Sequence, residues 1–313
     1  MSAWIRETSR RSVLLSTSAV LFGMLPRIAA NQQEFVVRSR ANLVVLDVSV
    51  TGSDGTPVSG LVQRNFQVSE DGKRQTIKQF SADELPVSIG FVVDMSGSMR
   101  SKLDGVRRAT STFLEASNAR DEYFLIGFND SAWVGLPTGL DFSKNRDDIR
   151  KALLGVRSAG KTALYDGIVL ALTHVGKSRY ERRVLVLITD GKDNASSIRL
   201  SEALQFVRAS PVTIYTIGLF DEDDQDANRG VLKQFARTTG GRYYAPKTPE
   251  MIGDDCAAIA RDIRARYTMA YTPPAESKGP VRKIKIEVIR DQASSKAVVR
   301  TRSEYILESP STR

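Results

Sequence analysis

The sequence VSIGFVVDMSGS, residues 87–98, contains both a strand and a candidate site. Its first seven residues form an apolar, β-rich run of the length expected for a buried strand. Asp94, Ser96 and Ser98 follow at alternate positions, and ligands of open parallel sheets bind at the carboxyl ends of strands. These oxygens suit a hard cation such as Mg²⁺ or Ca²⁺. The same pattern fits a loop whose serines cap a helix, so the interpretation needs support from other segments.

Two other segments provide that support. The sequence GKTALYDG, residues 160–167, places the hydroxyl of Thr162 directly before a predicted helix. A second apolar strand, residues 184–189, ends at Asp190 and Gly191. Each segment therefore adds one oxygen-bearing side chain to the candidate site.

From Pro86 onward, strand-like apolar runs alternate with segments of helical periodicity. Besides 87–93, the predicted strands are 123–128, 184–188 and 212–217. The predicted helices are 103–116, 146–154, 164–176, 200–208, 229–239 and 249–266. This alternation predicts an α/β fold with a mostly parallel sheet and helices on both faces.

The segments on either side of this region are rich in predicted strands. Before it, the turn signals Asp54-Gly55 and Asp71-Gly72 separate β-like runs, and the second turn leads into a predicted strand from Gln75 to Phe80. After Tyr267 the pattern returns to strands. Neither flank has enough strands for a stable sheet. We therefore expect the two flanks to form one small all-β sandwich, with the α/β region inserted between them.

Residues 1–30 have the features of an export signal: a basic start, an apolar run at 13–25 and a small-residue exit. The run is shorter than the roughly 20 residues that span a bilayer, so we expect a cleaved signal peptide and no stable membrane span after cleavage. Residues 9–14 resemble a twin-arginine signal, with Val13 where that pattern usually has Phe, and ordinary secretion fits as well. Either route predicts a periplasmic or extracellular protein.

The composition argues against several classes of function. The net charge is +9 over 313 residues, without a run of five or more basic residues, so no nucleic-acid partner is expected. Cys256 is the only cysteine and His174 the only histidine, which excludes an intramolecular disulfide and a two-histidine metal site. No general base, nucleophile constellation or cofactor loop stands out, and we expect a protein that is not an enzyme.

Together, the three polar segments resemble the metal-ion-dependent adhesion site of the von Willebrand factor A (VWA) family, which also occurs in integrin I domains. The resemblance implies a Rossmann-like VWA fold. It implies that Ser96, Ser98 and Thr162 bind a divalent cation directly through hydroxyl oxygens, and that Asp94 and Asp190 act directly or through water. The cation would be Mg²⁺, with Mn²⁺ and Ca²⁺ as alternatives.

This set of ligands has a physical rationale. Three neutral oxygens and two partly indirect carboxylates leave a divalent cation incompletely neutralised, so one position stays open to water or to a partner's carboxylate. The expected partner is therefore a protein that supplies an acidic residue. By analogy with weak extracellular calcium modules, the metal would bind with a Kd of about 10⁻⁴–10⁻³ M.

The flanks also resemble those of bacterial VWFA-related proteins, common among acidobacteria. Those proteins have a lead similar to GLVQRNFQVSEDGKRQTIKQF and close with a motif similar to RYTMAYTP. We therefore expect four parts: a signal peptide (1–30), an N-terminal β-rich region (31–84), a VWA domain (85–266) and a C-terminal β-rich region (267–313) that packs with 31–84.

Three functions fit these expectations. The first is an exported, non-enzymatic binding protein that uses the cation to hold an acidic partner, in adhesion or in assembly of an envelope complex. The second is an accessory subunit of an ATPase-type enzyme complex, although such partners are cytoplasmic and this chain has no phosphate-binding G-x-x-x-x-G-K-[ST] loop. The third is a structural scaffold whose metal only ties loops together.

Overall fold

The computed structural model describes residues 43–221, 228–274, 279–289 and 297–306. The strands in these ranges are β1 (Val44–Thr51), β2 (Phe66–Glu70), β3 (Lys73–Gln75), β4 (Gln79–Ser81), β5 (Val87–Asp94), β6 (Glu122–Phe128), β7 (Ala132–Val134), β8 (Arg182–Thr189), β9 (Thr213–Gly218), β10 (Tyr243–Tyr244), β11 (Arg266–Tyr271), β12 (Val281–Val288), β13 (Val298–Arg300) and β14 (Glu304–Ile306). The α-helices are α1 (Leu103–Ala116), α2 (Arg146–Leu154), α3 (Leu164–Val175), α4 (Leu200–Ala209), α5 (Arg229–Thr239) and α6 (Ile252–Arg264).

The central sheet has the strand order β10-β9-β8-β5-β6-β7. Its strands from β10 to β6 run parallel, and β7 pairs antiparallel with β6 at one edge. Every residue of β5 is buried, as expected for a parallel strand that is covered on both faces. Helix α1 packs against α2 and α6, whereas α4 packs against α3 and α5. The prediction of a mostly parallel α/β sheet with packed helices is confirmed.

A glycine in the middle of β5 allows close packing of the central sheet. A Cβ atom at Gly90 would lie 2.1 Å from Cζ of Phe124 on β6 and 2.7 Å from Cδ2 of Leu185 on β8. Both distances are shorter than any ordinary carbon–carbon contact. The space beside Gly90 is therefore filled by side chains from the two neighbouring strands.

Two four-stranded antiparallel sheets, which we call the flank sheets, combine residues from both sides of the central region. The first has the order β13-β1-β11-β4 and the second the order β14-β12-β2-β3. Val44 on β1 lies opposite Tyr271 on β11, and Phe66 on β2 lies opposite Val288 on β12. Apolar side chains of both sheets share one core. The expected all-β, sandwich-like module built from the two flanks is thus confirmed as part of the fold class.

One predicted strand in the N-terminal flank is wrong. The segment from Gln75 to Phe80 is not a single strand, because Gln75 ends β3 in the second flank sheet and Gln79 begins β4 in the first. Ile77 lies between them and is buried in the core that the two sheets share. The alternation of apolar residues in this segment therefore arises because the chain passes from one sheet to the other and buries Ile77 on the way.

The single cysteine and the single histidine are both packing residues. Cys256 is fully buried on α6, and burial raises the pKa of its thiol to about 12, which keeps it unreactive. His174 is buried between the rings of Phe124 and Phe142, and its Nε2 donates to the carbonyl of Asp141 at 2.8 Å.

Within the described ranges, no helix has the length and apolar character needed to cross a membrane. The expected signal peptide, residues 1–30, lies outside the described residues.

The carboxylate of Asp262, on α6, connects the central region to the first flank sheet. It accepts hydrogen bonds from Ser49 Oγ on β1 at 2.5 Å, from Arg300 Nη2 on β13 at 2.9 Å and from the Tyr215 hydroxyl on β9. Nη2 of Arg266 donates to the same group at 3.3 Å. Burial by itself raises the pKa of Asp262, but the two guanidiniums outweigh burial and lower its pKa to about 2.

We expect Asp262→Asn to lower the free energy of unfolding at pH 7 by about 3–5 kcal/mol, because Arg266 and Arg300 would lose their buried carboxylate. The folded pKa of Asp262, about 2, is below its ordinary value of 3.8. Its contribution is therefore complete above pH 3.8 and is lost as the pH falls towards 2. Urea denaturation at pH 7, 4 and 2.5 measures both effects. Asp254→Asn, an exposed position on the same helix, is the matched control, and an equal loss in both variants would contradict this account.

Candidate metal centre

Two carboxylates lie fully buried at the carboxyl ends of adjacent parallel strands. Asp94 is the last residue of β5, and Asp190 directly follows β8. The pairing of Val93 with Ile188 brings the two strand ends to the same edge of the sheet. This is the edge at which the sequence predicts a cation site.

Asp94 is held by two donors. Its Oδ1 accepts from the backbone N–H of Ser96 at 2.8 Å, and its Oδ2 accepts from the Thr189 hydroxyl at 2.6 Å. Burial nevertheless raises the pKa of Asp94 to about 6, and the negative charge of Asp190 adds to the increase. The site is thus short of positive charge.

Asp190 has an oxygen without a partner. Its Oδ1 accepts from the backbone N–H of Lys192 at 3.2 Å, whereas its Oδ2 is buried and has no hydrogen-bond partner among the described residues. Gly191 turns the chain here with φ of 80°, and its N–H donates to the Thr189 hydroxyl at 3.0 Å. A buried carboxylate oxygen without a hydrogen-bond partner destabilises the fold. A bound cation is one way to offset this free-energy cost.

The two predicted serine ligands lie together in the loop after β5. Oγ of Ser96 and Oγ of Ser98 are 3.1 Å apart, and Ser96 is buried while Ser98 is partly exposed. The loop is anchored to the segment before α3, since Gly97 N–H donates to Gly160 O at 3.1 Å and Ala159 N–H donates to Met95 O at 2.9 Å. The serines therefore occupy a loop with a fixed backbone.

Thr162 is buried and is fixed by the loop that follows Asp190. Its N–H donates to the side chain of Asn194 at 2.8 Å, and its carbonyl accepts from the N–H groups of Asn194 and Ala195 at 2.9 and 3.1 Å. We call these three bonds the Thr162–Asn194 clasp. The clasp brings the second and third predicted segments together, as the Gly97–Gly160 bond does for the first and second.

Sequence reasoning missed two residues of this region, Thr189 and Asn194. Thr189 bonds to a carboxylate 95 positions away, and Asn194 bonds to a backbone 32 positions away. The available signals were a hydroxyl at the end of a buried strand and an amide in a polar loop, both of which are common in turns.

The described residues contain no group of three or more histidines, cysteines, aspartates and glutamates that could hold a metal. A cation at this edge would therefore need neutral oxygens beside Asp94 and Asp190. Hydroxyl groups of the predicted serines and threonine are the oxygens that the adjoining loops provide.

Comparison with known proteins agrees with this fold. The family model of the von Willebrand factor type A domain matches residues 88–254. An uncharacterized protein of Synechocystis is 26% identical over 215 residues, which are 65% of this chain and 47% of that protein. Inter-alpha-trypsin inhibitor heavy chain H2 of Sus scrofa is 21% identical over 209 residues, covering 61% of this chain and 22% of the heavy chain. The chain thus spans about half or less of the length of these curated relatives.

A solved structure extends the similarity to most of the chain. The von Willebrand factor type A protein from Catenulispora acidiphila superimposes with a TM-score of 0.53 at 15% identity, covering 86% of this chain and 75% of that one. At this identity the likeness concerns the fold. The family model covers more than half of the sequence, and the chain therefore belongs to the von Willebrand factor type A domain family.

Proposed function

We propose that this chain is an exported, non-enzymatic binding protein that holds a divalent cation at the edge formed by β5 and β8 and uses it to bind an acidic group of a partner protein. The observation that carries the proposal is the buried oxygen Oδ2 of Asp190, which has no hydrogen-bond partner among the described residues. It lies beside a second buried carboxylate, Asp94, whose pKa burial raises to about 6.

The residues at this edge fit a cation. Two adjacent carboxylates that are shielded from water repel each other, and a divalent cation would neutralise both. The proposed ligands are Asp94, Ser96, Ser98, Thr162 and Asp190. Carboxylate and hydroxyl oxygens favour Mg²⁺, with Mn²⁺ and Ca²⁺ as alternatives.

A bound cation would supply an electrostatic contact for a partner. Where the two carboxylates act partly through water, a divalent cation held directly by neutral hydroxyls stays incompletely neutralised and attracts a further anionic oxygen. The partial exposure of Ser98 supports access to this point from solvent. A carboxylate on a partner protein fits that chemistry, in adhesion or in assembly of an envelope complex.

A purely structural metal is less well supported. The three loops are already joined by hydrogen bonds of the protein itself, namely the Gly97–Gly160 bond and the Thr162–Asn194 clasp. A metal is therefore not needed to tie them together. The role of an accessory subunit in an ATPase-type complex has no support in the geometry, and the proposed export signal argues against it.

We expect Mg²⁺ to bind the chain without its first thirty residues saturably, with a Kd of about 10⁻⁴–10⁻³ M. Asp94→Asn should abolish binding, because it removes one of two buried charges that a cation would neutralise. Calorimetry or thermal shift measures this. The matched control is Asp104→Asn, an exposed carboxylate on α1 that should leave binding unchanged. Equal Mg²⁺ binding by wild type and Asp94→Asn would contradict the proposed site. The five proposed ligands would then have only a structural role in their loops.

The Thr162–Asn194 clasp generates a second prediction. Asn194→Ala removes the acceptor for the Thr162 N–H and should weaken Mg²⁺ binding by about tenfold to a hundredfold, as is typical when a residue that orients a ligand is lost. Asn118→Ala is the control, since its side chain also accepts from a backbone N–H but in a distant loop. Unchanged affinity in Asn194→Ala would show that Thr162 needs no such support.

A third prediction distinguishes a metal that can bind a partner's carboxylate from a metal with a purely structural role. In the chain loaded with Mn²⁺, acetate should displace bound water and reduce the paramagnetic relaxation of solvent protons, whereas acetamide should not, because only the carboxylate is charged. If acetate has no effect while Mn²⁺ remains bound, the metal offers no open position and the scaffold function is favoured.

A further inference from the structure

A cavity of about 270 Å³ lies between the first flank sheet and the starts of strands β8 and β9. Its lining includes Asp47 and Thr268 from the flank sheet, Arg182 from the first position of β8, and Arg302 from the segment after β13. Arg182 begins the strand that Asp190 follows, so the cavity and the candidate metal centre lie at opposite ends of β8.

The guanidinium of Arg182 is buried and incompletely bonded. Its side chain is 2% exposed, and its Nη2 donates to the carbonyl of Ile263 at 2.8 Å. Its Nε lies 3.5 Å from Oδ1 of Asp47, which already accepts from the Thr268 hydroxyl at 3.0 Å. Neither Nε nor Nη1 has a hydrogen-bond partner among the described residues. Arg182 therefore keeps free donors beside the cavity.

Arg302 has no carboxylate partner among the described residues. Its Nη2 donates to the carbonyl of Arg208 at 2.7 Å and its Nε to the carbonyl of Glu304 at 3.3 Å. Carbonyl groups satisfy these donors without neutralising the charge. Burial lowers the pKa of Arg302 to about 10, so the group is still charged at neutral pH.

The charges at this junction, some buried and some partly exposed, do not balance within the described residues. The arginines are Arg182, Arg266, Arg300 and Arg302, and the carboxylates that pair with them are Asp47 and Asp262. Glu181 and Arg183, which also line the cavity, cancel each other in charge. Two positive charges thus remain in excess, and an unbalanced charge that is partly shielded from water favours a counter-ion.

The rest of the lining is partly apolar and includes the threonines Thr213 and Thr239. Val45, Pro211 and Val212 contribute carbon surface next to the arginines. An inorganic anion would leave this surface exposed to water, whereas an organic acid would cover it. The combination of cationic and aliphatic lining suits a carboxylate that is attached to a short apolar group.

We propose that this cavity binds a small organic anion whose carboxylate is neutralised by Arg182 and Arg302 and whose short apolar group packs on Val45 and Val212. Such a carboxylate belongs either to a free organic acid or to the C-terminal residue of a peptide. The site is independent of the metal centre, and its ligand would bridge the central region and the first flank sheet.

The test uses the chain without its first thirty residues, in buffer of low ionic strength without divalent metal. The probes are 3-methylbutanoate, which represents a free acid, and N-acetylvaline, which represents a peptide terminus. Their neutral amides and inorganic phosphate are the control ligands. Calorimetry and thermal shift are measured on wild type, Arg302→Gln, Val45→Phe and Arg150→Gln, the last an exposed arginine paired on the surface of α2.

We expect at least one acid to bind saturably and raise Tm, with no effect of its amide and a weaker effect of phosphate. The acid that binds with the higher affinity identifies the source of the carboxylate, a free acid or a peptide C-terminus. Arg302→Gln should weaken binding by at least about tenfold, in line with the loss of a charged hydrogen bond. Val45→Phe, which narrows the cavity and keeps its charges, should weaken binding as well. Arg150→Gln should behave as wild type.

Three results would overturn the proposal. The first is no saturable binding of either acid to wild type. The second is equal binding of an acid and its amide, or of phosphate and the acids. The third is unchanged affinity in Val45→Phe, which remains informative even if Arg302→Gln does not fold.

Discussion

The burial of Asp94 and Asp190 at the ends of adjacent strands is the constraint around which one edge of this protein is organised. A parallel strand that is covered on both faces has no route to water except at its ends, and β5 and β8 end together. Their terminal carboxylates are therefore close to each other, and both are nevertheless fully buried. The hydroxyl of Thr189 and the backbone N–H of Ser96 fix one of them, and the loops that carry the other oxygens are bonded to each other.

The sequence predicts the fold class well because its periodicity reflects burial directly. Buried strands of a parallel sheet read as continuous apolar runs, and the alternation of such runs with helical segments leaves few topologies. Short elements could not be predicted in this way. β7 and β10 have three and two residues, too few for a pattern, and the crossing at Ile77 looked like a strand because one residue in it is buried.

At the candidate site, the residue types and their positions after strands were predictable, but the bonds that hold them were not. The Thr162–Asn194 clasp joins two loops mostly through backbone groups, which every residue type possesses, and through one amide side chain. The charge imbalance at Arg182 and Arg302 could not be predicted either, because it depends on which arginines the fold brings together. β8 thus carries a surplus of negative charge at one end and of positive charge at the other. Both ends deviate from the rule that buried charges are paired, and such deviations concentrate at functional sites.

The pairing of β1 with β11 has a consequence for the order in which the chain can fold. Val44 and Tyr271 are partners, and the whole central sheet lies between them in the sequence. During synthesis at about 5–20 residues per second, β1 waits roughly 10–45 s for its partner. Folding of the central region in the meantime brings the two ends together, which removes much of the entropy cost of closing so long a loop. Until then β1 is an unpaired strand that can aggregate. Because the central region folds first and brings the two flanks together, it acts as the nucleus on which both flanks assemble.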